Sequence, residues 1–242
     1  MSLEQILLTI TIIFAGHFVK GFSGFGSAIV AAPLLALFMP LRTVVPLMAL
    51  VSLPAGVFMV ATTWRHVAWR ETLLVSVGMI VTTWAGLPVL LAVENQVLKQ
   101  AFAVVMVLFV LPALWGRGPV RQRRAHPLVT LLVGVVAGLT GILFAVPGPP
   151  LVLYFTYTMS DDVDRFRGTL SAILLINAAI QAVAFAGEGV LTVELLVLSV
   201  ALVPVLVAGL WLGGWLVRRV QVRRFRQAVA GILIANAVLL WF

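Results

Sequence analysis

Two short stretches of the chain combine glycine, proline and hydroxyl residues inside otherwise apolar sequence. The first reads Lys20-Gly-Phe-Ser-Gly-Phe-Gly-Ser27, and the second reads Gly138-Leu-Thr-Gly-Ile-Leu-Phe-Ala-Val-Pro-Gly-Pro-Pro150. Glycine permits backbone conformations that other residues rarely adopt, and proline cannot continue the hydrogen-bond ladder of a helix. Each stretch therefore predicts a broken helix, and the exposed N–H groups and positive dipole end at such a break suit an anion.

Residues in and beside these stretches could hold the oxygen atoms of an anion. The hydroxyls of Ser23 and Thr140 would donate hydrogen bonds, as would the backbone near the glycines. Asn177 and Gln181 lie four positions apart, so they share one face of a helix, and polar side chains inside an apolar span are candidates for function. The predicted substrate-binding residues are Lys20, Gly21, Ser23, Gly24, Gly26, Ser27, Thr140, Gly141, Pro147, Gly148, Pro149, Asn177 and Gln181.

The same residue types also have a purely structural explanation. Small residues allow membrane helices to pack closely, buried amides form interhelical hydrogen bonds, and Lys20 could extend its ammonium group to the membrane surface. Because similar glycine runs recur at equivalent places in two halves of the chain, we favour the binding site.

Other kinds of chemistry have few candidate residues. His17 is the imidazole inside an apolar run, so it is the candidate for carrying a proton near neutral pH. The chain has three histidines and no cysteine, and its eight acidic residues fall outside the apolar runs or, as Glu194 does, at the end of one. The sequence therefore predicts no metal site, no cofactor and no enzymatic activity.

The elements that position these residues must lie in a membrane. The chain has 242 residues, of which 62% are hydrophobic and 10% charged, and a mean hydropathy of +1.17. A soluble domain of this size needs many more charged residues to cover its surface. Uncharged apolar runs predict ten segments, at residues 5–19, 21–39, 44–63, 72–91, 97–115, 128–146, 147–159, 168–187, 192–212 and 225–242. We expect an all-α polytopic membrane protein with eight to ten transmembrane or re-entrant helices. The re-entrant ones would be the segments that are short or rich in glycine and proline.

The positive charge of the chain predicts its orientation. The formal net charge is +8, and fourteen of the sixteen Lys and Arg residues fall in alternate gaps between segments. Such a bias marks the cytoplasmic side of a multi-pass protein of the cytoplasmic (inner) membrane. It places both termini outside if all ten segments cross. The charge therefore indicates a lipid bilayer as the partner and argues against nucleic acid.

The two halves of the chain match each other. Five segments in each half would place the second copy in the opposite orientation, and the loops reverse their charge bias as inverted repeats require. We predict a first repeat over residues 1–117, a cytoplasmic basic linker over 118–127 and a second repeat over 128–242. The equivalent positions are Gly21 and Gly138, Gly24 and Gly141, Pro33 and Pro150, and Gly86 and Gly209.

These repeated motifs resemble the sulfite exporter TauE/SafE family, in which each half opens with a glycine-rich segment followed by Pro-Leu. Here the motifs are the first glycine run with Pro33-Leu34 and the second with Pro150-Leu151. The resemblance implies transport of a small anion such as sulfite, sulfoacetate or thiosulfate. We expect a secondary transporter that works by alternating access, since no ATP-binding motif is present. The alternative is an anion channel on the same scaffold.

Overall fold

The computed structural model describes residues 3–114, 126–159 and 162–216, apart from the side chains of Phe22, Ser23 and residues 110–114. Residues 118–125 of the predicted linker and the predicted segment 225–242 lie outside these ranges. The described residues form helices and no strand. The helices are α1 (Leu3–Ser23), α2 (Ser27–Ala36), α3 (Leu41–Thr63), α4 (Trp69–Ala92), α5 (Asn95–Leu114), α6 (Pro127–Phe144), α7 (Gly148–Thr158), α8 (Val163–Gly187), α9 (Val193–Ala201) and α10 (Val203–Leu216), with a short 3₁₀ turn at Trp64–His66.

Six stretches of helix are long and apolar enough to cross a membrane, namely α1, α3 with the 3₁₀ turn, α4, α6, α8 and α9 together with α10. The helices α2 and α7 have 10 and 11 residues, which is about half the length that a bilayer core requires. Large apolar side chains such as Val77, Val81 and Trp84 on α4 are half or more exposed, as expected of a surface that faces lipid. The all-helical, multi-pass prediction is therefore confirmed at the level of six candidate spans.

The first predicted gap between segments is wrong. Lys20 and Gly21 lie within α1, which continues to Ser23, and Lys20 is 3% exposed. A charged residue interrupts an apolar run in the sequence, but it does not interrupt the backbone hydrogen bonds of a helix. Lys20 therefore does not belong to a cytoplasmic loop.

The helix α2 turns back along α1. A Cβ on Gly16 of α1 would lie 2.7 Å from the carbonyl oxygen of Ser27 and 3.0 Å from Cβ of Ala31, both on α2. Residues that follow the break thus pack on residues that precede it. The segment is therefore a helical hairpin whose tip is the first break.

Long helices from the two halves of the chain pack pairwise: α4 on α6, α1 on α10 and α3 on α8. Glycine makes two of these contacts close. Gly138 of α6 lies against the backbone of Met79 in α4, and Gly209 of α10 lies against the backbone of Phe14 in α1. Backbones approach to this distance because no Cβ intervenes.

The ends of the helices form two chemically different surfaces. At one end Gly168 of α8 packs against Thr63 and His66, and Arg165 forms an ion pair with Glu71 at 3.8 Å. This arginine-rich end also carries Arg65, Arg70 and Arg167. At the opposite end the N–H of Leu41 donates to Oδ1 of Asn95 at 2.9 Å, and the guanidinium of Arg42 donates to the carbonyls of Leu90 and Val93 at 3.2 and 2.9 Å.

The two helix breaks are each packed into the other half of the chain. Phe144, just before the second break, stacks on Phe102 of α5 with ring centroids 5.1 Å apart. Phe25, inside the first break, packs against the apolar cluster that contains Leu151, Phe155 and Ile173. Each break is held by apolar contacts that its own half of the chain does not supply.

Candidate anion-binding site

A cavity lies where the two helix breaks meet, about halfway along α3 and α8. Ser52 is the twelfth of 23 residues in α3, and Asn177 is the fifteenth of 25 in α8. A Cβ on Gly148, just after the second break, would lie 3.9 Å from Cδ1 of Ile29 in α2. The lining residues are Lys20, Gly26, Ser27, Ala28, Ile29, Met48, Ala49, Ser52, Ala145, Val146, Pro147, Gly148, Leu174, Asn177, Ala178 and Gln181.

The first break is formed by glycine in left-handed backbone conformations. The φ angles of Gly24 and Gly26 are 85° and 97°, values that a residue with a Cβ rarely adopts. The break ends α1 and starts α2 at Ser27, where Gly26 supplies no side-chain cap. The first N–H groups of a helix have no acceptor within the helix, and Ser27, Ala28 and Ile29 at the start of α2 all line the cavity. The first break therefore presents backbone donors and the positive end of a helix dipole to the cavity.

The second break is formed differently and lies later than the glycines predict. The helix α6 continues through Gly138, Thr140 and Gly141 and ends at Phe144. Ala145 then adopts φ 60°, and its N–H donates to the carbonyl of Gly141 at 2.9 Å, while the N–H of Val146 donates to that of Thr140 at 3.2 Å. The prediction of a broken helix is confirmed for the stretch as a whole, but not at its glycines.

Proline limits the donors at the second break. The helix α7 begins Gly148-Pro149-Pro150, and proline carries no backbone N–H. In the first turn of α7, Gly148 and Leu151 are therefore the residues that retain a donor. The second break gives the cavity its shape and contributes fewer hydrogen-bond donors than the first.

Two amide side chains of α8 face the cavity without partners. Asn177 is 4% exposed and Gln181 is 2% exposed, and neither Oδ1 of Asn177 nor Nε2 of Gln181 has a hydrogen bond within the described part of the chain. Leaving a buried polar atom unpaired costs about 1–3 kcal/mol. A ligand atom that accepts a hydrogen bond would satisfy Nε2 of Gln181, and one that donates would satisfy Oδ1 of Asn177.

Lys20 places a cation at the same cavity. Its side chain is 3% exposed and lines the cavity, and no carboxylate within residues 3–114, 126–159 and 162–216 pairs with it. A buried charge without a partner is unfavourable, so an anionic ligand would stabilise it. Lys20 and the start of α2 therefore both bring positive charge to the cavity.

Seven of the thirteen predicted substrate-binding residues line the cavity: Lys20, Gly26, Ser27, Pro147, Gly148, Asn177 and Gln181. Five of the other six, Gly21, Gly24, Thr140, Gly141 and Pro149, do not line it. Ser23 ends α1, but its side chain lies outside what the structure describes. Pro149 is absent from the lining of the cavity.

Four of the remaining predicted residues have structural contacts instead. The hydroxyl of Thr140 donates to the carbonyls of Val136 and Ala137 in its own helix. Gly141 lies behind the amides, since its Cβ would be 3.1 Å from Nε2 of Gln181 and 3.4 Å from Nδ2 of Asn177. Gly21 packs against the backbone of α10, and Gly24 packs against the side chain of Arg167.

His17 is buried in α1 but does not line the cavity. Its Nδ1 donates to the carbonyl of Ile13 at 2.8 Å, and its Nε2 has no partner among the described residues. Its proton-coupling role stays a prediction.

Apolar and small lining residues on α3 and α8 were missed by the sequence analysis. Leu174 and Ala178 follow the helical spacing of Asn177 and Gln181, and Met48 and Ala49 share a face with Ser52. Helical periodicity around each polar residue would have identified them.

The cavity suits a small ligand. Its volume is about 40 Å³. Since one water needs roughly 10–15 Å³ of such space, the cavity accommodates about three water molecules or an oxyanion with a similar number of oxygens.

Comparison with known proteins agrees with this chemistry. Residues 8–240 match the family described as sulfite exporter TauE/SafE. The chain belongs to this family. It is also similar to the probable sulfite/organosulfonate exporter TauE of Cupriavidus necator, with 24% identity over 225 residues that cover 91% of this chain and 87% of the relative. No solved structure matches the chain.

Membership of the TauE/SafE family has three consequences. Its members are membrane transporters and not enzymes, so the predicted class is confirmed. The family implies a small anionic substrate and embedding in a membrane.

Proposed function

We propose that the chain is a secondary transporter that exports a small sulfur oxyanion or organosulfonate across the cytoplasmic membrane, binding it in the cavity between the two helix breaks. The proposal rests on Lys20, which is buried at the cavity and has no carboxylate partner in the part of the chain that the structure describes. The printed name of the Cupriavidus necator relative, a sulfite/organosulfonate exporter, supports the substrate class.

In this proposal, different residues of the cavity wall make different contacts with the anion. Lys20 neutralises the charge of the anion, and the N–H groups at the start of α2 donate to its oxygens. The Nε2 group of Gln181 donates from the opposite side. Apolar residues such as Met48 and Leu174 exclude water and thereby strengthen these electrostatic contacts.

We propose that alternating access depends on two inverted repeats, and helix directions support this arrangement. The contacts of Gly56 with Leu175 and of Gly168 with Thr63 make α3 and α8 antiparallel. The helix α6 runs parallel to α4, since Gly134 and Gly138 follow Val75 and Met79 in the same order, and it therefore starts at the arginine-rich end.

The first repeat starts at the other end. Gly209 lies against Phe14, and Gly214 lies further along near Gly21, so α1 runs parallel to α10. Gly24, which follows α1, packs against Arg167 of the arginine-rich end, so α1 runs toward that end and starts at the opposite one. The first helices of the two halves thus enter from opposite sides, as alternating access built on repeats requires.

The charge distribution supports a cytoplasmic arginine-rich end. Arg65, Arg70 and Arg165 lie there, whereas Arg42 and Lys99 are the cations at the opposite end of the described chain. Trp64 and Trp69 are 56% and 51% exposed at this end, a position typical of aromatic residues at a membrane surface.

Flux measurements test the transport function. The purified protein is reconstituted into proteoliposomes, and uptake of ³⁵S-labelled sulfite and of a sulfonate is measured against concentration. We expect saturable uptake, and acceleration when unlabelled anion is preloaded on the other side. Empty liposomes and the Lys20→Met variant serve as controls.

Two results would contradict the proposal. Absence of saturable flux for every sulfur oxyanion and sulfonate tested would exclude the substrate class. Flux that rises linearly with concentration and shows no counterflow would replace alternating access with a channel mechanism.

A further inference from the structure

The side chain of Arg167 lies against the first helix break. A Cβ on Gly24 would be 3.1 Å from Nε and 3.6 Å from Cγ of Arg167. Gly24 has φ 85°, and the absence of its side chain leaves room for the guanidinium stem. The other side of the same turn, at Gly26 and Ser27, lines the cavity.

The backbone next to Arg167 is fixed. A Cβ on Gly168 would lie 2.9 Å from the carbonyl oxygen of Thr63, and the hydroxyl of Thr169 accepts a hydrogen bond from the N–H of Ala68 at 2.9 Å. These contacts attach the start of α8 to the loop after α3. The position of Arg167 over the break therefore follows from packing, not from an ion pair.

The guanidinium of Arg167 has no anionic partner within the described residues. Its neighbour Arg165 forms the ion pair with Glu71. At the opposite end, the guanidinium of Arg42 donates to the carbonyls of Leu90 and Val93 at the carboxyl end of α4. Arg42 is thus engaged in structural hydrogen bonds, whereas Arg167 has no anionic partner among the described residues and can meet a ligand.

We propose that Arg167 is a substrate-contacting residue at the arginine-rich mouth of the pathway, where it receives the anion before the anion reaches Lys20. This inference rests on the proposed transport function. It makes the pathway asymmetric, with an arginine that recruits the anion at the cytoplasmic mouth and an arginine that joins helices at the other.

The kinetic test compares transport with equilibrium binding. A charge at the mouth raises the encounter rate, and loss of such a charge typically lowers rate constants about 10-fold at low salt. In Arg167→Gln we expect kcat/KM for sulfite to fall about 10-fold while the equilibrium Kd of the central cavity changes less than about 2-fold. Arg167→Lys should lose less than about 3-fold, and added salt should reduce the difference between wild type and Arg167→Gln.

A labelling test gives an independent readout. The chain has no cysteine, so R167C introduces a single thiol. A cationic methanethiosulfonate added to the cytoplasmic face of inside-out vesicles should restore much of the flux lost in R167C, and an anionic reagent of similar size should not. Sulfite should slow the modification at concentrations near its KM.

Arg165 provides the matched control, because it lies two residues earlier on the same helix and its side chain is 49% exposed. Arg165→Gln should keep kcat/KM within about 2-fold, and labelling of R165C should not depend on sulfite. If wild type transports sulfite but Arg167→Gln matches it in kcat/KM, or if sulfite fails to protect R167C, the role of Arg167 is wrong and the transport function stands. If wild type neither binds nor transports any sulfur oxyanion, the proposed function itself is wrong.

Discussion

The two helix breaks occupy related places in the two halves of the chain, but they are built from different residues. Gly24 and Gly26 form the first with left-handed φ angles of 85° and 97°. Ala145 and Pro147 form the second, where the left-handed residue carries a Cβ. The first break opens onto a helix with free N–H groups, and the second opens onto a helix whose first turn contains two prolines.

This difference suggests a division of labour within one cavity. The first half of the chain supplies the cation and the backbone donors, through Lys20 and the start of α2. The second half supplies the amides of α8 and an apolar, proline-lined wall. Similar glycine and proline motifs in the two halves therefore do not imply the same chemistry, and substitutions on the two sides of the cavity should have unequal effects.

Replacement of Lys20 should produce the largest effect. Removing one partner of a buried ion pair costs about 3–5 kcal/mol, so Lys20→Met should lower kcat/KM for sulfite at least about 100-fold. Lys99→Met, on the partly exposed surface of α5, is the control and should stay within about 2-fold. Sulfite flux in Lys20→Met near the wild-type rate would show that the first break does not carry the charge of the anion.

A smaller loss is expected when the backbone of the first break is strained. Gly26→Ala places a Cβ on a residue with φ 97° and should lower flux roughly 30-fold by displacing the start of α2. Gly189→Ala imposes similar strain at φ 66°, with nothing within 4 Å of the new Cβ, and should leave flux unchanged. Equal losses of flux in the two variants would indicate that general destabilisation is the cause.

Replacement of Gln181, on the second side of the cavity, should weaken sulfite binding but stabilise the ligand-free protein. Gln181→Leu removes a donor to the anion and should weaken sulfite binding about 10-fold. It also removes an unpaired polar atom from the ligand-free protein, so the Tm without substrate should rise by about 2–4 °C. Binding isotherms and thermal melts in detergent measure both, with the exposed Gln96→Leu as control. A lower Tm with unchanged affinity would assign Gln181 a structural role.

The smallest effect is predicted at Ala145. Because glycine adopts φ 60° at lower cost than alanine, Ala145→Gly should raise the Tm by about 2 °C and leave kcat/KM within about 2-fold. Ala137→Gly, inside α6, should instead lower the Tm. A large loss of flux in Ala145→Gly would mean that the rigidity of the second break matters to transport.

The sequence predicts the breaks better than it predicts which glycines form them. Gly24 and Gly26 lie at a break, whereas Gly138 and Gly141 lie inside α6. Glycine occurs both at breaks and inside packed helices, because its missing Cβ allows either an unusual φ angle or close helix packing. Only tertiary contacts, such as that of Gly138 with Met79, distinguish the two.

Polar residues follow a similar rule. Asn177 and Gln181 were correctly placed on one face of a helix from their spacing, and both line the cavity. Thr140 does not line the cavity, because its hydroxyl donates to a carbonyl of the preceding turn, as threonine in membrane helices can. The helical fold is predictable from hydropathy, because every backbone N–H and C=O in lipid must be hydrogen-bonded within the protein. The role of a side chain depends instead on neighbours that are far away in the chain.

The packing of α1 on α10 has a consequence for how the protein is made. The two helices lie almost 190 residues apart in the chain, and at roughly 5–20 residues per second the ribosome needs about 10 to 40 s to produce the second after the first. Throughout that interval α1, which carries His17 and Lys20, has no permanent neighbour on its α10-facing side. A membrane chaperone or the insertion machinery has time to hold α1, and the amino-terminal helix becomes one of the last to reach its final place.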